Sequence, residues 1–241
     1  MIQVSILGAS GRMGALTKDL VDADSNLKLH SALGSRSSRN EMLGADVVVD
    51  FTRLDVSEEL VLFAIENDLK IVVGTSGWSS TKLAMLEKSL AAHPKAAVVL
   101  VPNFSVGSML AQNFAAEAAK FFDSIEIVEA HHENKVDSPS GTAIATAELI
   151  AKSRAELTQP LIPGVGQPAR GEIHSGVPIH SLRQQGVSAK QDTIFGAAGE
   201  QLTISHDVSS YRAYSLGILK SIEFAKDATG LVVGLDRVLS N

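Results

Sequence analysis

No cysteine occurs in the 241 residues. That excludes disulfides, thiolate catalysis and cysteine-ligated zinc or iron–sulfur centres, and it fits a reducing compartment. A basic excess is also missing: 21 Lys and Arg stand against 27 Asp and Glu, a formal net charge of -6. A surface that neutralises phosphates carries the opposite imbalance, so nucleic acid is not an expected partner. Long apolar runs are absent too. The strongest, Val47–Val49 and Ala96–Val101, fall far short of the roughly 20 residues a membrane span requires. No basic stretch with an apolar run precedes the first strand-like segment, Ile2–Leu7, so a cytoplasmic location and no membrane partner are expected. Tryptophan occurs once, as Trp78, and reads as packing. There are no internal repeats and no low-complexity segments.

The first hundred residues alternate continuous apolar runs with helical patterns. IQVSIL, LKLHSAL, ADVVVDF, LKIVVGT and AAVVLVPN read as strands. Between them Met13, Leu16 and Leu20 recur at helical spacing, SEELVLFAIEND reads as an amphipathic helix with Ser57 as its N-cap, and TKLAMLEKSLAAH as another helix. Apolar strands separated by helices predict a parallel sheet covered on both faces, the doubly wound arrangement of dinucleotide-binding domains.

Between the first strand and first helix lies Gly8-Ala9-Ser10-Gly11-Arg12-Met13-Gly14. A pyrophosphate rests on a helix N-terminus only where backbone can approach it closely, which a Cβ would block. The spacing is G-x-x-G-x-x-G, and its place between strand and helix strengthens the signal. The second strand runs out into Gly34-Ser35-Arg36-Ser37-Ser38-Arg39, with no acid until Glu41. Two arginines and several hydroxyls would accept a 2′-phosphate that a carboxylate would repel, which points to NADPH used at least as well as NADH. A solvated surface loop has the same make-up.

After Pro102 the strict alternation stops. VGSMLAQNFAAEAAKFF reads as a long helix with Met109, Phe114, Ala118 and Phe121 among its apolar positions. SIEIVEAHH alternates apolar and polar residues, with Glu126 and Glu129 counted as polar, as an antiparallel strand buried on one face does. LIPGVGQPARGE reads as a flexible loop. VPIHSLRQQG, SAKQDTIFGAAG and EQLTISHDV read as antiparallel strands with glycine turns, and YSLGILKSIEFAKDATG as a helix with a glycine stop. The expected fold class is α/β: an N-terminal Rossmann-like doubly wound parallel sheet followed by a C-terminal α+β mixed-sheet domain. The expected boundaries are 1–103 for the dinucleotide-binding domain, 104–213 for a substrate-binding and oligomerisation domain, and a C-terminal helix, 214–241, packing back on the first.

GASGRMG, VDFTR, VVGTSG, PNFSVG and EAHHENKVDSPSGTA follow one another in that order. Together they closely resemble the 4-hydroxy-tetrahydrodipicolinate (dihydrodipicolinate) reductase family of the bacterial diaminopimelate and lysine pathway, over Val4 to about Gly217. The His-His-x-x-Lys-x-Asp-x-Pro-Ser-Gly-Thr stretch is the most specific part. The resemblance implies a two-domain enzyme, a homotetramer built through its C-terminal sheets. It reduces a small cyclic dicarboxylate imine with NADPH or NADH. Carried over residue by residue, the cofactor loop is Gly8, Ala9, Ser10, Gly11, Arg12 and Met13, joined by Gly34, Ser35 and Arg36 and by Phe51 and Thr52. Gly74, Thr75 and Ser76 line the nicotinamide side, and Val101, Pro102, Asn103 and Phe104 form a hinge that contacts cofactor. His131 corresponds to the proton donor and Lys135 to the second catalytic residue, while His132, Lys135, Ser140, Gly141 and Thr142 match substrate contacts. Two departures stand out. The family often has an acid where this chain has Gly34, and that acid favours NADH. It also often carries Ser-Arg-x-x-Phe where this chain has Ser210-Tyr211-Arg212-Ala213-Tyr214, so Arg212 receives no substrate role.

The chemistry suits these residue types. Hydride addition to an unsaturated imine calls for a proton, and an imidazole titrates near working pH. A lysine offers compact positive charge for a carboxylate or for developing negative charge. Pro139-Ser140-Gly141-Thr142 opens a helix through Ile144, Ala147 and Ile150, whose N–H groups make a second anion site. Asp137 reads as a structural carboxylate that bonds nearby backbone. His174, His180 and His206 read as ordinary polar residues. Adjacent histidines on a strand face opposite ways and no third ligand is evident, so no metal is expected at His131–His132. Two other readings fit the first domain: another two-domain NAD(P)-dependent dehydrogenase, and an NADPH-sensing protein without turnover. Neither requires the His–Lys cluster.

Overall fold

The computed structural model describes residues 1–157 and 162–240. In chain order the first half holds β1 (Ile2–Leu7), α1 (Arg12–Ala23), β2 (Leu27–Leu33), β3 (Val47–Asp50), α2 (Leu54–Glu66), β4 (Lys70–Val73), α3 (Ser80–Ala91) and β5 (Ala97–Leu100). Then come α4 (Val106–Ala118), β6 (Ser124–His131), α5 (Gly141–Ser153), β7 (Glu172–His174), β8 (Val177–Arg183), β9 (Ala189–Ala197) and β10 (Glu200–Val208), and finally α6 (Ser215–Asp227), β11 (Gly230–Val233) and α7 (Leu235–Leu239). Two compact units result, Met1–Val106 with Tyr211–Asn241, and Gly107–Ser210.

The first unit is a six-stranded parallel sheet ordered β11-β5-β4-β3-β1-β2. Val47, Val48, Val49, Ile71, Val72, Val73, Val98 and Val99 have no exposed surface, because helices cover both faces of a sheet joined by crossover connections. This is the doubly wound, Rossmann-like arrangement expected from the alternating pattern.

Two expectations for this unit are corrected. Ser57 does not cap α2. The helix starts at Leu54 with Arg53 at the N-cap, and Ser57 lies inside it, fully buried. Its hydroxyl donates to the buried carboxylate of Asp50, a partner that outweighs the capping preference because an unsatisfied buried carboxylate is costly. The segment 214–241 is also not one helix. After α6, Gly230 turns the chain at a φ of 71° into β11, which pairs in parallel with β5. The four-residue Gly-Leu-Val-Val strand is too short to stand out beside the strong helical period of Ile218, Ile222 and Ala225.

The second unit carries a five-stranded mixed sheet ordered β10-β9-β6-β8-β7. Its core joins Ala115 and Ala119, Ile125 and Ile127 of β6, Ala143, Ala147 and Ile150 of α5, Val177 and Ile179 of β8, and Phe195 of β9. The mixed sheet is the one expected, and only the antiparallel reading of β8 is corrected, for its pairing with β6. β8 and β9 are neighbours in sequence but not in space: β6 lies between them, antiparallel to β9 and parallel to β8. A strand as buried as β6 needs partners on both edges. α4 ends at Ala118, earlier than expected, and its covered residues are Ser108 and Ala115, while Phe114 and Phe121 are exposed. Of the loop expected from Leu161 to Glu172, Leu161 lies outside the described residues. The described part contains a short 3₁₀ turn at Pro168–Arg170 and leads into β7, a strand that was not anticipated.

Candidate active site

In the first unit, α1 begins under an N-cap, Gly11, that supplies no side-chain acceptor, and its first turn holds no acid. The first-turn N–H groups of a helix lack intrahelical partners, and here nothing negative competes with an anion for them. A Cβ on Gly14 would lie 2.3 Å from the Gly8 carbonyl oxygen, and Gly8 itself has a φ of 73°. The loop therefore demands glycine at both places. Beside it is a cavity of about 420 Å³, lined by Gly8, Ser10, Gly34, Ser35, Ser37, Arg39, Thr52 and Arg53 together with Leu7, Leu33, Val56 and Leu60. Apolar walls, a glycine loop and two guanidinium groups fit the adenosine end of a dinucleotide. Arg36 is exposed and does not line this cavity. Arg12 donates to the Tyr211 hydroxyl and stacks 4.9 Å from its ring centroid.

The strand ends beyond the loop are organised by Asp50, which sequence reading did not single out. Asp50 is fully buried and accepts from Thr52 N at 2.8 Å, Thr52 Oγ1 at 2.6 Å and the Ser57 hydroxyl. It thereby shapes the turn that carries Phe51 and Thr52. Phe51 packs edge-on against Phe104 at 5.6 Å, and Gly74 lies beneath both rings, where a Cβ would come within 2.5 Å of Phe51. Thr75 Oγ1 donates to the Thr52 carbonyl at 2.9 Å, while Ser76 is exposed. Val101 is buried and Pro102 exposed, and Asn103 Oδ1 accepts from Ser105 N at 2.9 Å. Phe51, Thr52, Gly74, Thr75 and Phe104 thus converge in space.

In the second unit the His–Lys cluster sits at the end of β6. Residues 125, 127, 129 and 131 share one strand face, so Glu129 lies on the buried face with Ile125 and Ile127, not on the solvated one. Its exposure is 0%. Glu129 Oε2 meets His131 Nδ1 at 2.6 Å, Arg183 reaches both carboxylate oxygens at 3.0 Å, and Ser140 N donates to Oε1 at 3.2 Å. Counting by twos from Ile125 would have placed Glu129 inward. Arg183, the residue in register with His131 on β8, left no signal in sequence.

Lys135 Nζ contacts both carboxylate oxygens of Asp137 at 2.7 Å. That hydrogen bond and the lysine's charge hold the Asp137 carboxyl below its ordinary value. Asp137 therefore serves the lysine side chain, and its own carbonyl accepts from Arg183 at 2.6 Å. His132 follows the end of β6 and is half-buried. Ser140 is the N-cap of α5, its hydroxyl accepting from Ala143 N at 3.2 Å. It is 2% exposed, and its hydroxyl and N–H are both engaged. Gly141 and Thr142 open the helix, and a Cβ on Gly141 would meet nothing within 4 Å.

The other histidines lie elsewhere. His180 Nε2 meets Glu126 Oε2 at 2.6 Å on the opposite sheet face, where Arg170 also pairs with Glu126. His174 pairs with Glu172 at 2.8 Å. Burial lowers the His206 pKa. Among the described residues no group of three or more His, Asp or Glu is placed to hold a metal ion, and no helix is long and apolar enough to cross a membrane.

Burial opposes ionisation of Glu129, but hydrogen bonds from His131, Arg183 and Ser181 outweigh it and bring the carboxyl from its ordinary 4.5 down to about 2. A depressed carboxyl stabilises the fold fully above the ordinary value, and that contribution is lost as the pH falls through the lowered one. A drop of this size is worth about 3 kcal/mol. In urea unfolding, the wild type is expected to lose more stability than Glu129→Gln between about pH 6 and about pH 3. Equal losses in the two proteins would contradict this assignment.

A parallel sheet with a glycine loop at its first crossover, followed by a mixed-sheet unit holding a His–Lys cluster at a helix N-terminus, defines a dinucleotide-dependent oxidoreductase. Residues 2–104 match the family model for the dihydrodipicolinate reductase N-terminus and residues 107–239 that for its C-terminus, and the chain belongs to this family. It is 47% identical over 236 residues to a 4-hydroxy-tetrahydrodipicolinate reductase of Clavibacter sepedonicus, covering 98% of this chain and 85% of the relative. It is 41% identical over 243 residues to that of Cutibacterium acnes, covering 99% of each. A dipicolinate-bound dihydrodipicolinate reductase from Paenisporosarcina sp. TG-14 superimposes with a TM-score of 0.84 at 30% identity, covering 98% of this chain and 99% of that one.

Proposed function

We propose that this oxidoreductase reduces the cyclic dicarboxylate imine of diaminopimelate and lysine biosynthesis to tetrahydrodipicolinate, with His131 as proton donor. The observation that carries this reading is the convergence of His131, Lys135 and the α5 N-terminus on one end of the second unit's sheet. NADPH or NADH, bound by the first unit, supplies the hydride. His131 presents an imidazole held at Nδ1, leaving its other ring nitrogen to protonate the reduced substrate. Lys135, and the N–H groups of Gly141 and Thr142, face the negative charge of the substrate carboxylates. Two anion-binding elements match two carboxylates. The test is a coupled assay in which substrate is generated from pyruvate and aspartate semialdehyde and NADPH and NADH absorbance are followed separately. Absence of oxidation of either would refute the assignment and favour a dinucleotide-sensing protein.

NADPH is used at least as well as NADH. Supporting this, the cavity beyond β2 is lined by Ser35, Ser37, Arg39 and Arg53, with no carboxylate among its lining residues. Arg39→Ala and Arg53→Ala are each expected to weaken NADPH several-fold more than NADH, since only the former carries the 2′-phosphate. Arg36→Ala, at an exposed position outside the cavity, is expected to have the smaller effect. Equal losses for both dinucleotides would overturn the preference. The protein works as a homotetramer assembled through the second unit's sheet. In support, β10 is a nine-residue edge strand and largely exposed, and long exposed edges invite pairing. Light scattering that returned a single chain mass would exclude this.

A further inference from the structure

A buried carboxylate seldom survives in a core for the sake of stability. Well-packed apolar residues in place of a buried ion pair are often as stable or more so, whereas removing one partner alone is severely destabilising. Glu129, with no exposed surface, pairs with the half-buried Arg183 inside a sheet whose neighbouring face positions are Ile125, Ile127 and Ile179. Both ends of the pair reach toward the same place. Glu129 and His131 stand two residues apart on one strand face, so the carboxylate lies alongside the imidazole. Arg183 binds both oxygens of Glu129 while its guanidinium also donates to the Lys135 carbonyl at 3.3 Å and the Asp137 carbonyl at 2.6 Å. One ion pair, anchored on the buried Glu129, therefore braces both the histidine and the segment that bears the lysine.

We propose that Glu129 is a positioning residue for the proton donor: it accepts the Nδ1 hydrogen of His131 and so fixes the ring with Nε2 turned away from the sheet, while Arg183 ties the same carboxylate to the Lys135–Asp137 segment. The inference rests on His131 being the proton donor. An ionised carboxylate only accepts hydrogen bonds. With Glu129 ionised at neutral pH, Nδ1 must be the donor in the 2.6 Å contact. In its uncharged form His131 then keeps a bare Nε2, and when charged it carries its transferable proton there. The Ser140 N–H on Oε1 connects the same carboxylate to the start of α5, so the ring and the helix-end anion site share one reference point.

A purely structural ion pair would change stability without selecting a tautomer, and this separates the two accounts. In full-length protein with ¹⁵N-labelled histidine, two-bond nitrogen–proton correlation at alkaline pH reads the tautomer of His131, assigned by its loss in His131→Gln. The expected wild-type result is hydrogen on Nδ1. The opposite tautomer overturns the proposal, and that reading is made on the wild type, so Glu129→Gln need not fold for it. Glu129→Gln is expected to lower kcat on the order of tenfold or more, with KM for the dinucleotide unchanged, and Glu129→Asp to recover part of the loss. A Glu129→Gln enzyme with wild-type kcat and only a lowered melting temperature would also overturn it. The two levels of inference fail separately. An inactive wild type with Nδ1–H refutes the reaction assigned above, whereas an active wild type with Nε2–H refutes the positioning role alone.

Discussion

His131→Gln is expected to lower turnover on the order of 10²-fold or more, with dinucleotide affinity nearly unchanged. In the proposed role the substitution removes a proton transfer, and the glutamine amide cannot supply one. His131 belongs to the second unit, at the end of β6, whereas the glycine loop and the cavity beside it belong to the first. Binding and turnover should therefore separate. Lys135→Ala should lower turnover comparably, and it should also raise KM for the dicarboxylate, because an ammonium that faces a substrate carboxylate contributes in the ground state as well. It also removes the partner that holds the Asp137 carboxyl below its ordinary value. Steady-state rates and calorimetric titration of NADPH check both variants. Wild-type rates in either would refute the role given to that residue.

Gly14→Ala is the second large effect expected, and it acts on the other unit. Two contributions oppose each other. Alanine in place of glycine favours a helix by about 1 kcal/mol. Its Cβ, however, would stand 2.3 Å from the Gly8 oxygen and 2.7 Å from the Ala9 Cα. Both are backbone atoms of the loop itself, so no side-chain rotation relieves them, and overpacking of this kind costs about 1–3 kcal/mol or more. The clash wins, and the relief it forces displaces the loop between Gly8 and Gly11. A loss of stability accompanied by a drop of tenfold or more in NADPH affinity is expected, since each tenfold corresponds to about 1.4 kcal/mol. Gly141→Ala is the control for stability: its Cβ meets nothing within 4 Å, so it should leave unfolding unchanged or stabilise by no more than about 1 kcal/mol. If Gly14→Ala matched wild type in both unfolding and dinucleotide titration, the close approach seen at the loop would have no energetic weight.

How much of this was legible in advance depends on the range over which each signal acts. β1 through β5 were readable because a parallel sheet buried on both faces leaves continuous apolar runs, and such runs are local. The glycine loop was readable because backbone approach and a positive φ demand glycine whatever the tertiary context. The start of α5 was readable from Pro139-Ser140-Gly141-Thr142, whose residue types are local helix-start signals. Ser57 misled for the same reason: serine's capping preference is local, whereas its actual partner, Asp50, is a buried acceptor on another element. β11 was missed because a four-residue apolar strand carries no period of its own.

Sequence alone determined the two architectures and the glycine loop, and it picked out the residues proposed for the chemistry, because each rests on side-chain type and short spacing. Tertiary structure decided what those residues face. It inserted β6 between β8 and β9, which put Arg183 in register with His131 and turned Glu129 into the point where histidine, arginine and helix start meet. It also brought Arg39 and Arg53, not Arg36, to the wall of the cavity beyond β2. Both outcomes depend on strand order and loop path, which are settled by packing between residues distant in the chain and leave no trace in local composition.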